Sequence, residues 1–402
     1  DRQDPYRRRM EKLLPIITGY DREMVRLGLT GYLKTFRRPQ LQRFLAEDFI
    51  NPAILDSFQP LPKGGLGRAF GPKILTHVWA GNVPGLPLWS LVAGLLVKAG
   101  NIGKVPTVEP MFASLFSQLF AEVAPELADC LAIVWWKGGD EASELSVLNE
   151  SDLVLGYGQN ESLAAIQKRM PITKRFLAYG HKVSFAMVSA EALNVSKVCA
   201  TARLVAYDVA RYDQQGCYAP HMVFVERGGS VSPERFAQYL AHELSVFEKK
   251  FPLRPLALAE ANSIVSWRNN EEMNPGGKVF FANSGSWAVS YQVDGQFFSP
   301  SCLNRTIRVV GIDTLSQVPA SIAPFSALLQ TVGIAAPPEV LVRLASTLGE
   351  VGVTRIAAIG DMTSPEAGWH HDGRFNLLDL IKITEIDGRA ENAAEHLASY
   401  DD

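Results

Sequence analysis

From Pro72 onward, short apolar runs alternate with helix-like segments, and no other feature limits the fold as strongly. KILTHVWAG reads as a buried strand, NVPGLP as a turn, and LWSLVAGLLVKAGN as an apolar helix stopped by Gly100. IGKVPTV is a second short strand, and EPMFASLFSQLFAEVA is a helix with Pro110 suited to its first turn. LAIVWWKGG and SDLVLGYG read as further strands, and NESLAAIQKRM as a further helix. Strands alternating with helices predict parallel βαβ units. An open nucleotide-binding sheet is therefore expected.

Residues 78–97 carry no charge and have the length of a membrane span. Asn82, Pro84 and Pro87 interrupt this run near its start. They divide it into a strand end, a turn and a helix of roughly three turns from about Leu88. A buried helix of a soluble protein is predicted, with no membrane span.

The rhythm changes after Gly180. KVSFAMVS, a helix through SKVCATARLVAYDVA, the strand HMVFVE and the helix SPERFAQYLAHELSVFEKKF follow. In the last, Ser232 is the expected N-cap, Pro233 takes the first position, and Phe236, Tyr239, Leu240, Leu244 and Phe247 form an apolar stripe. A second α/β unit with its own core is predicted. From about Ala261 the strands look less regular, as in KVFFANSGSWAVSYQV and RTIRVVGID. The first 60 residues are mostly polar and helix-like.

The chain has 402 residues, enough for two or three domains. Its net charge of -3 speaks against a nucleic-acid surface or a polybasic membrane patch. Cys130, Cys199, Cys217 and Cys302 are scattered, with no CxxC pair and no histidine at zinc-ligand spacing. Free thiols in a reducing compartment, the cytoplasm, are expected, and no metal. The chain begins DRQDPYRRR, without Met and without a following apolar core, so no signal peptide is read there. The natural N-terminus is expected to lie upstream.

No GxGxxG follows the early strands, so the common dinucleotide fingerprint is missing. AGNVP ends one strand and AGNIGKVPT carries the next. Both ends belong at the carboxyl edge of a parallel sheet, where ligands bind. Further along, DQQGCYAP puts Cys217 between a polar turn and HMVFVE. By itself this is either a nucleophile or a small packing residue, since buried cysteines are often inert. The other three cysteines sit in apolar contexts and read as structural.

The ordered set HVWAGNVPGLP, AGNIGKVPT, DQQGCYAPHMVFVE, LQTVGI and WHHDGRFNLLDL resembles the acyl-CoA reductase family, the LuxC-type subunit of bacterial fatty acid reductase linked to bioluminescence. That family lies within the aldehyde dehydrogenase superfamily. The resemblance covers about residues 72–386. It implies an α/β, aldehyde dehydrogenase-like fold, with a Rossmann-type cofactor-binding domain and an α/β catalytic domain. Residues 1–180 would be a helical segment and the NAD(P)-binding domain, and 181–360 the catalytic domain. Residues 361–402 would pack back on the cofactor domain or at an oligomer interface.

The resemblance also assigns roles. Cys217 matches the nucleophile that takes the acyl group, and Asn82 the amide that faces the developing oxyanion beside the Cys217 N–H. Lys104 matches the lysine that contacts the cofactor's ribose or phosphate. Gly156 and Gly158 match the turn near the pyrophosphate. Thr107 stands where NAD-preferring relatives carry a glutamate. A carboxylate there would repel a 2′-phosphate and threonine would not, which leans towards NADPH, with NADH as the alternative.

One departure is informative. Hydrolytic aldehyde dehydrogenases carry a glutamate base where this chain has Ala178, in AYGHKV. Without that base, water is poorly activated against a thioester. His181 reads as a surface histidine in a turn, with an acid or base as the alternative, and His221 as a strand residue that points away. His370 and His371 read as solvated. The expected activity is NADPH-dependent reduction of long-chain fatty acyl-CoA to aldehyde through an acyl-cysteine at Cys217. Acyl-CoA is the expected substrate, an acyl-protein synthetase or acyl-transferase an expected partner, and a homo-oligomer the expected state. A short-chain CoA-acylating aldehyde dehydrogenase is the alternative enzyme. A non-catalytic aldehyde-dehydrogenase-like scaffold for an acyl-activating partner is the alternative of another class.

Overall fold

The structure, a computed structural model, describes residues 3–294 and 298–398. Contacts divide the chain into two units. One comprises residues 32–180 and the segment from Glu366 onward. The other comprises the segment up to Gly31 and residues 181–365.

In the first unit, β1 (Ile74–Val78), β2 (Gly100–Lys104), β3 (Leu131–Val134), β4 (Leu153–Tyr157) and β5 (Arg175–Tyr179) form a parallel sheet ordered β3-β2-β1-β4-β5. The crossovers contain α1 (Leu86–Leu96), α2 (Met111–Val123), α3 (Glu141–Glu150) and α4 (Asn160–Arg169). Strand order reverses between β1 and β4, the kind of switch point at which open α/β sheets bind ligands. Gly85, at φ 102°, lets the chain leave β1 and enter α1, whose first turn holds Pro87. Leu88 and Leu91 of that helix are buried. Ala93 packs with Leu75 and Leu155 of the sheet. Among the described residues, no helix is long and apolar enough to cross a membrane. Pro110 is the N-cap of α2, one position ahead of the helical turn expected for it. A small antiparallel sheet of Gln59–Pro60, Leu66–Phe70 and Lys382–Ile386 ties the C-terminal segment to this unit.

In the second unit, β6 (Val183–Val188), β7 (Pro220–Glu226), β8 (Lys278–Phe281), β9 (Ala288–Gln292), β10 (Thr306–Ile312), β11 (Leu329–Ala335) and β12 (Arg355–Ala358) form a seven-stranded sheet. Its order is β8-β9-β10-β7-β6-β11-β12, parallel except for β8 against β9. Strands buried on both faces explain the continuous apolar runs FAMV and MVFV. Val223 and Val225 of β7 face one core, with Val205 and Val209 of α5 (Val198–Ala210) and Phe236, Leu240 and Leu244 of α6 (Pro233–Lys250). Met222 and Phe224 face the other, which includes Phe185, Val318 and Ile322. The Ser232 hydroxyl accepts from the Arg235 N–H at 3.2 Å, capping α6 as expected.

Two features differ from expectation. Helix α7 (Leu258–Glu272) occupies a region expected to hold irregular strands from Ala261. It lacks an apolar stripe, since only Ile264 and Glu271 are buried, so periodicity gave no helix signal. The N-terminal segment, assigned from the sequence to the cofactor domain, packs with residues 181–365. The reason is Tyr212. Its ring meets Tyr20 edge-on at 5.6 Å, and its N–H donates to Met24 Sδ at 3.3 Å. Gly28 makes room for its phenol, because a Cβ there would lie 2.2 Å from the hydroxyl oxygen.

Candidate active site

The first unit gathers five of the residues singled out in the sequence at the carboxyl edge of its sheet. Lys104 and Gly156 are both in register with Val78, the last residue of β1. Asn82 lies exposed in the turn after β1, and Thr107 lies exposed just beyond β2. Gly158 follows β4, and its N–H donates to Tyr179 O at 3.2 Å.

Lys104 is half-buried, with Nζ 5.9 Å from the centre of the Trp136 ring. Burial lowers its pKa, and Glu144 partly opposes this. A cation short of solvent at a sheet's carboxyl edge is suited to an anion. The Thr107 hydroxyl accepts from Trp135 Nε1 at 3.3 Å, which turns its own O–H away from the indole as a donor. Lys104 and Thr107 thus offer a cation and a hydroxyl donor at the same edge of the sheet. The two glycines differ. A Cβ on Gly156 would come within 2.7 Å of Leu163 and 2.9 Å of Phe176, so packing alone accounts for that glycine. Gly158 faces open space.

Ala178 is the next-to-last residue of β5, in register with Gly156. No carboxylate takes its place in the strand. His371, expected to be solvated, stacks on Tyr179 at 4.8 Å, and Tyr179 stacks on Tyr157 at 4.8 Å. His370 Nε2 lies 3.6 Å from Asp48. WHHDGRF is thus a packing segment over the ends of β4 and β5.

In the second unit, Cys217 is half-buried in the turn that leads into β7. Because β7 is parallel to its neighbours, this is the amino edge of the seven-stranded sheet. The Cys217 carbonyl accepts from the Ser184 hydroxyl at 2.7 Å. The chain arrives at Cys217 through Tyr212, Asp213 and Gln214, which have φ of 48°, 51° and 67°. Leu303, Asn304 and Arg305 repeat the same left-handed course, at 65°, 55° and 63°. Left-handed backbone costs a residue other than glycine roughly 1–2 kcal/mol, so both turns must be held by their surroundings.

They hold each other. Arg305 Nε donates to Asp213 Oδ1 at 2.9 Å, and Gln215 Nε2 donates to Asn304 Oδ1 at 3.0 Å. Gln214 accepts from the Thr306 N–H at 3.1 Å and donates to the Thr306 carbonyl at 2.9 Å. Arg305 also reaches Glu248 of α6 at 2.8 Å. Sequence reasoning missed Ser184, Gln214 and Arg305 as parts of this arrangement. The QQ ahead of Gly216 was the only trace of it, since nothing in the sequence links that dipeptide to LNRT.

His221, the second residue of β7, is buried, and its Nδ1 meets the Ser301 hydroxyl at 3.2 Å. Burial, with His181 adding to it, holds its pKa down to about 4. His181 is exposed between β5 and β6. Of the remaining cysteines, Cys199 lies exposed on α5, against the expectation of an apolar setting. Burial pushes up the pKa of Cys302, whose thiol lies 3.3 Å from the Thr306 hydroxyl.

This fold recurs in solved structures. An oxidoreductase from Marinobacter aquaeolei aligns with a TM-score of 0.71 at 12% identity, over 94% of this chain and 81% of that one. A glyceraldehyde-3-phosphate dehydrogenase from Methanocaldococcus jannaschii, complexed with NADP, aligns with a TM-score of 0.71 at 11% identity, over 94% and 85%. A lactaldehyde dehydrogenase from Escherichia coli aligns with a TM-score of 0.69 at 13% identity, over 94% and 82%. The fold is therefore that of the aldehyde dehydrogenases. In sequence, the chain is 25% identical over 389 residues to long-chain acyl-protein thioester reductase 2 of Photobacterium leiognathi, covering 94% of this chain and 78% of that one. It is 25% identical over 392 residues to the long-chain acyl-protein thioester reductase of Aliivibrio fischeri, covering 95% and 78%. The family model described as acyl-CoA reductase (LuxC) matches residues 2–383, nearly the whole chain, which makes this protein an oxidoreductase that belongs to the acyl-CoA reductase (LuxC) family.

Proposed function

We propose that the protein reduces long-chain acyl thioesters to aldehydes with NADPH, through a thioester on Cys217. The observation that carries this reading is the cysteine itself, a half-buried thiol in a braced turn at a strand's amino end, within an acyl-CoA reductase chain. The Cys217 thiolate attacks the acyl carbonyl, and the tetrahedral adduct expels the thiolate of the donor, CoA or a carrier thiol. The cofactor, when bound, supplies the hydride that reduces the acyl-cysteine. The resulting thiohemiacetal oxyanion collapses, releasing the aldehyde and restoring the Cys217 thiolate. The Cys217 N–H and the Asn82 amide are the proposed donors to the oxyanion at both tetrahedral stages. Lys104 and Thr107 hold the phosphorylated ribose. Ala178 supplies no base to water, which favours reduction over hydrolysis.

The names of the two relatives raise an acyl-protein as donor alongside acyl-CoA, and an acyl-carrying protein as partner. Incubation with labelled long-chain acyl-CoA, followed by peptide mass spectrometry, tests the reading. The label is expected on Cys217. Label on Cys130, Cys199 or Cys302, or aldehyde formation by Cys217→Ala at the wild-type rate, would overturn it.

A further inference from the structure

The loop that carries Cys217 is closed at its base by a side chain. Gln214, fully buried, donates from Nε2 to the carbonyl of Pro220 at 2.7 Å. Gln214 precedes the cysteine and Pro220 opens β7, so this bond joins the two ends of the loop. The same amide pairs with both backbone groups of Thr306 at the start of β10, accepting at 3.1 Å and donating at 2.9 Å. It therefore completes the edge of the sheet as a strand residue would. A primary amide offers two N–H donors and an acceptor oxygen, which matches the two carbonyls and one N–H met here.

A second side chain holds the tip. Ser184 of β6 is fully buried, and its hydroxyl donates to the Cys217 carbonyl while accepting from the Thr331 N–H at 3.1 Å. Both of its neighbouring ladders lose register at this residue. The shift against β7 falls between Ser184 and Ala186, and the shift against β11 falls between Leu329 and Val332, whose partners are Val183 and Phe185. Irregularities of this kind re-aim a side chain. Here the doubled irregularity frees the Thr331 N–H and turns it towards the serine. The tie from Ser184 fixes the peptide plane that follows Cys217, and the tie from Gln214 fixes the loop's ends.

We propose that Gln214 and Ser184 are positioning residues for the nucleophile, holding the Cys217 thiol and amide in the attacking geometry. The proposal rests on Cys217 being the acylated residue. Positioning at this level is worth a large factor, because a displacement near 1 Å lowers a rate by about 100-fold.

The test is single-turnover acylation of Ser184→Ala and Gln214→Met by saturating labelled acyl-CoA, read by mass spectrometry at Cys217. Native fraction is followed by near-ultraviolet circular dichroism, and NADPH binding by fluorescence. Acylation is expected to slow by about tenfold or more in molecules that remain folded, with the KM for acyl-CoA and NADPH binding unchanged. Acylation at the wild-type rate in folded Ser184→Ala would overturn the proposal, even where Gln214→Met fails to fold. Loss in strict proportion to the unfolded fraction would do the same, since that is a structural role alone. Should wild-type protein itself carry no acyl group on Cys217, the nucleophile reading falls and this proposal with it. An adduct present in wild type and equally fast in Ser184→Ala removes the positioning role only.

Discussion

Arg305 Nε donates to Asp213 Oδ1 at 2.9 Å, and both side chains are shut away from solvent. Burial pushes the Asp213 pKa up, and Arg305 opposes that rise. Their pairing joins two left-handed turns that lie far apart in sequence. Removing Arg305 takes away the buried ion-pair partner of Asp213 and leaves that carboxylate chiefly the Arg254 N–H, at 3.2 Å. Arg305→Met is therefore expected to lose roughly 3–5 kcal/mol of stability, read from the urea midpoint. The double variant Asp213→Asn with Arg305→Met is expected to lose less than the sum of its single variants. Strict additivity would show that the two residues are not coupled.

Asp208 gives a pH dependence with a definite sign. It lies buried on α5, accepting from the Gly360 N–H at 2.6 Å. Burial raises its pKa from 3.8 to about 7, against the pull of the Gly360 and Thr363 amides. A folded pKa above the unfolded one means the folded state holds its proton longer. The associated stability is present below about 4 and is lost as pH rises through about 7, by about 1.4 kcal/mol per pH unit between these values. Asp208→Asn carries no such titration. Its melting temperature relative to wild type is thus expected to climb across that window, and a constant difference would refute the assignment.

Gly103 of β2 lies under Trp79. A Cβ at this position would lie 2.1 Å and 2.4 Å from atoms of the buried indole. Gly103→Ala must displace the ring or the strand, at a cost of roughly 1–3 kcal/mol. Since Lys104 is the next residue, weaker NADPH binding is expected alongside the lower melting point. Unchanged stability, with no shift in tryptophan fluorescence, would contradict this packing.

Thr107→Glu tests the cofactor preference. A carboxylate at this exposed position would repel a 2′-phosphate and accept from ribose hydroxyls. The dissociation constant for NADPH is expected to rise by about tenfold or more, the equivalent of roughly 1.4 kcal/mol, while NADH binding is kept or improved. Direct binding by fluorescence titration reads this without turnover. Equal effects on both cofactors would place the 2′-phosphate elsewhere.

Much of this molecule was legible in its sequence because the signals are local. Buried parallel strands require continuous apolar runs, so KILTHV, LVLGY, FAMV and MVFVE announced themselves. Ser232 followed by Pro233, and Pro87 ahead of an apolar run, marked helix starts by rules that act within one turn. Helix α7 escaped because a helix with little buried surface has no periodic stripe to read. Tertiary structure alone decided what surrounds Cys217. Gln214 meets Thr306, Asp213 meets Arg305 and Ser184 meets the Cys217 carbonyl only once β6, β7 and β10 are laid side by side. The physical reason is that hydrogen bonds between distant segments depend on strand order and register. Those are set by the burial of the whole sheet and by no residue acting alone.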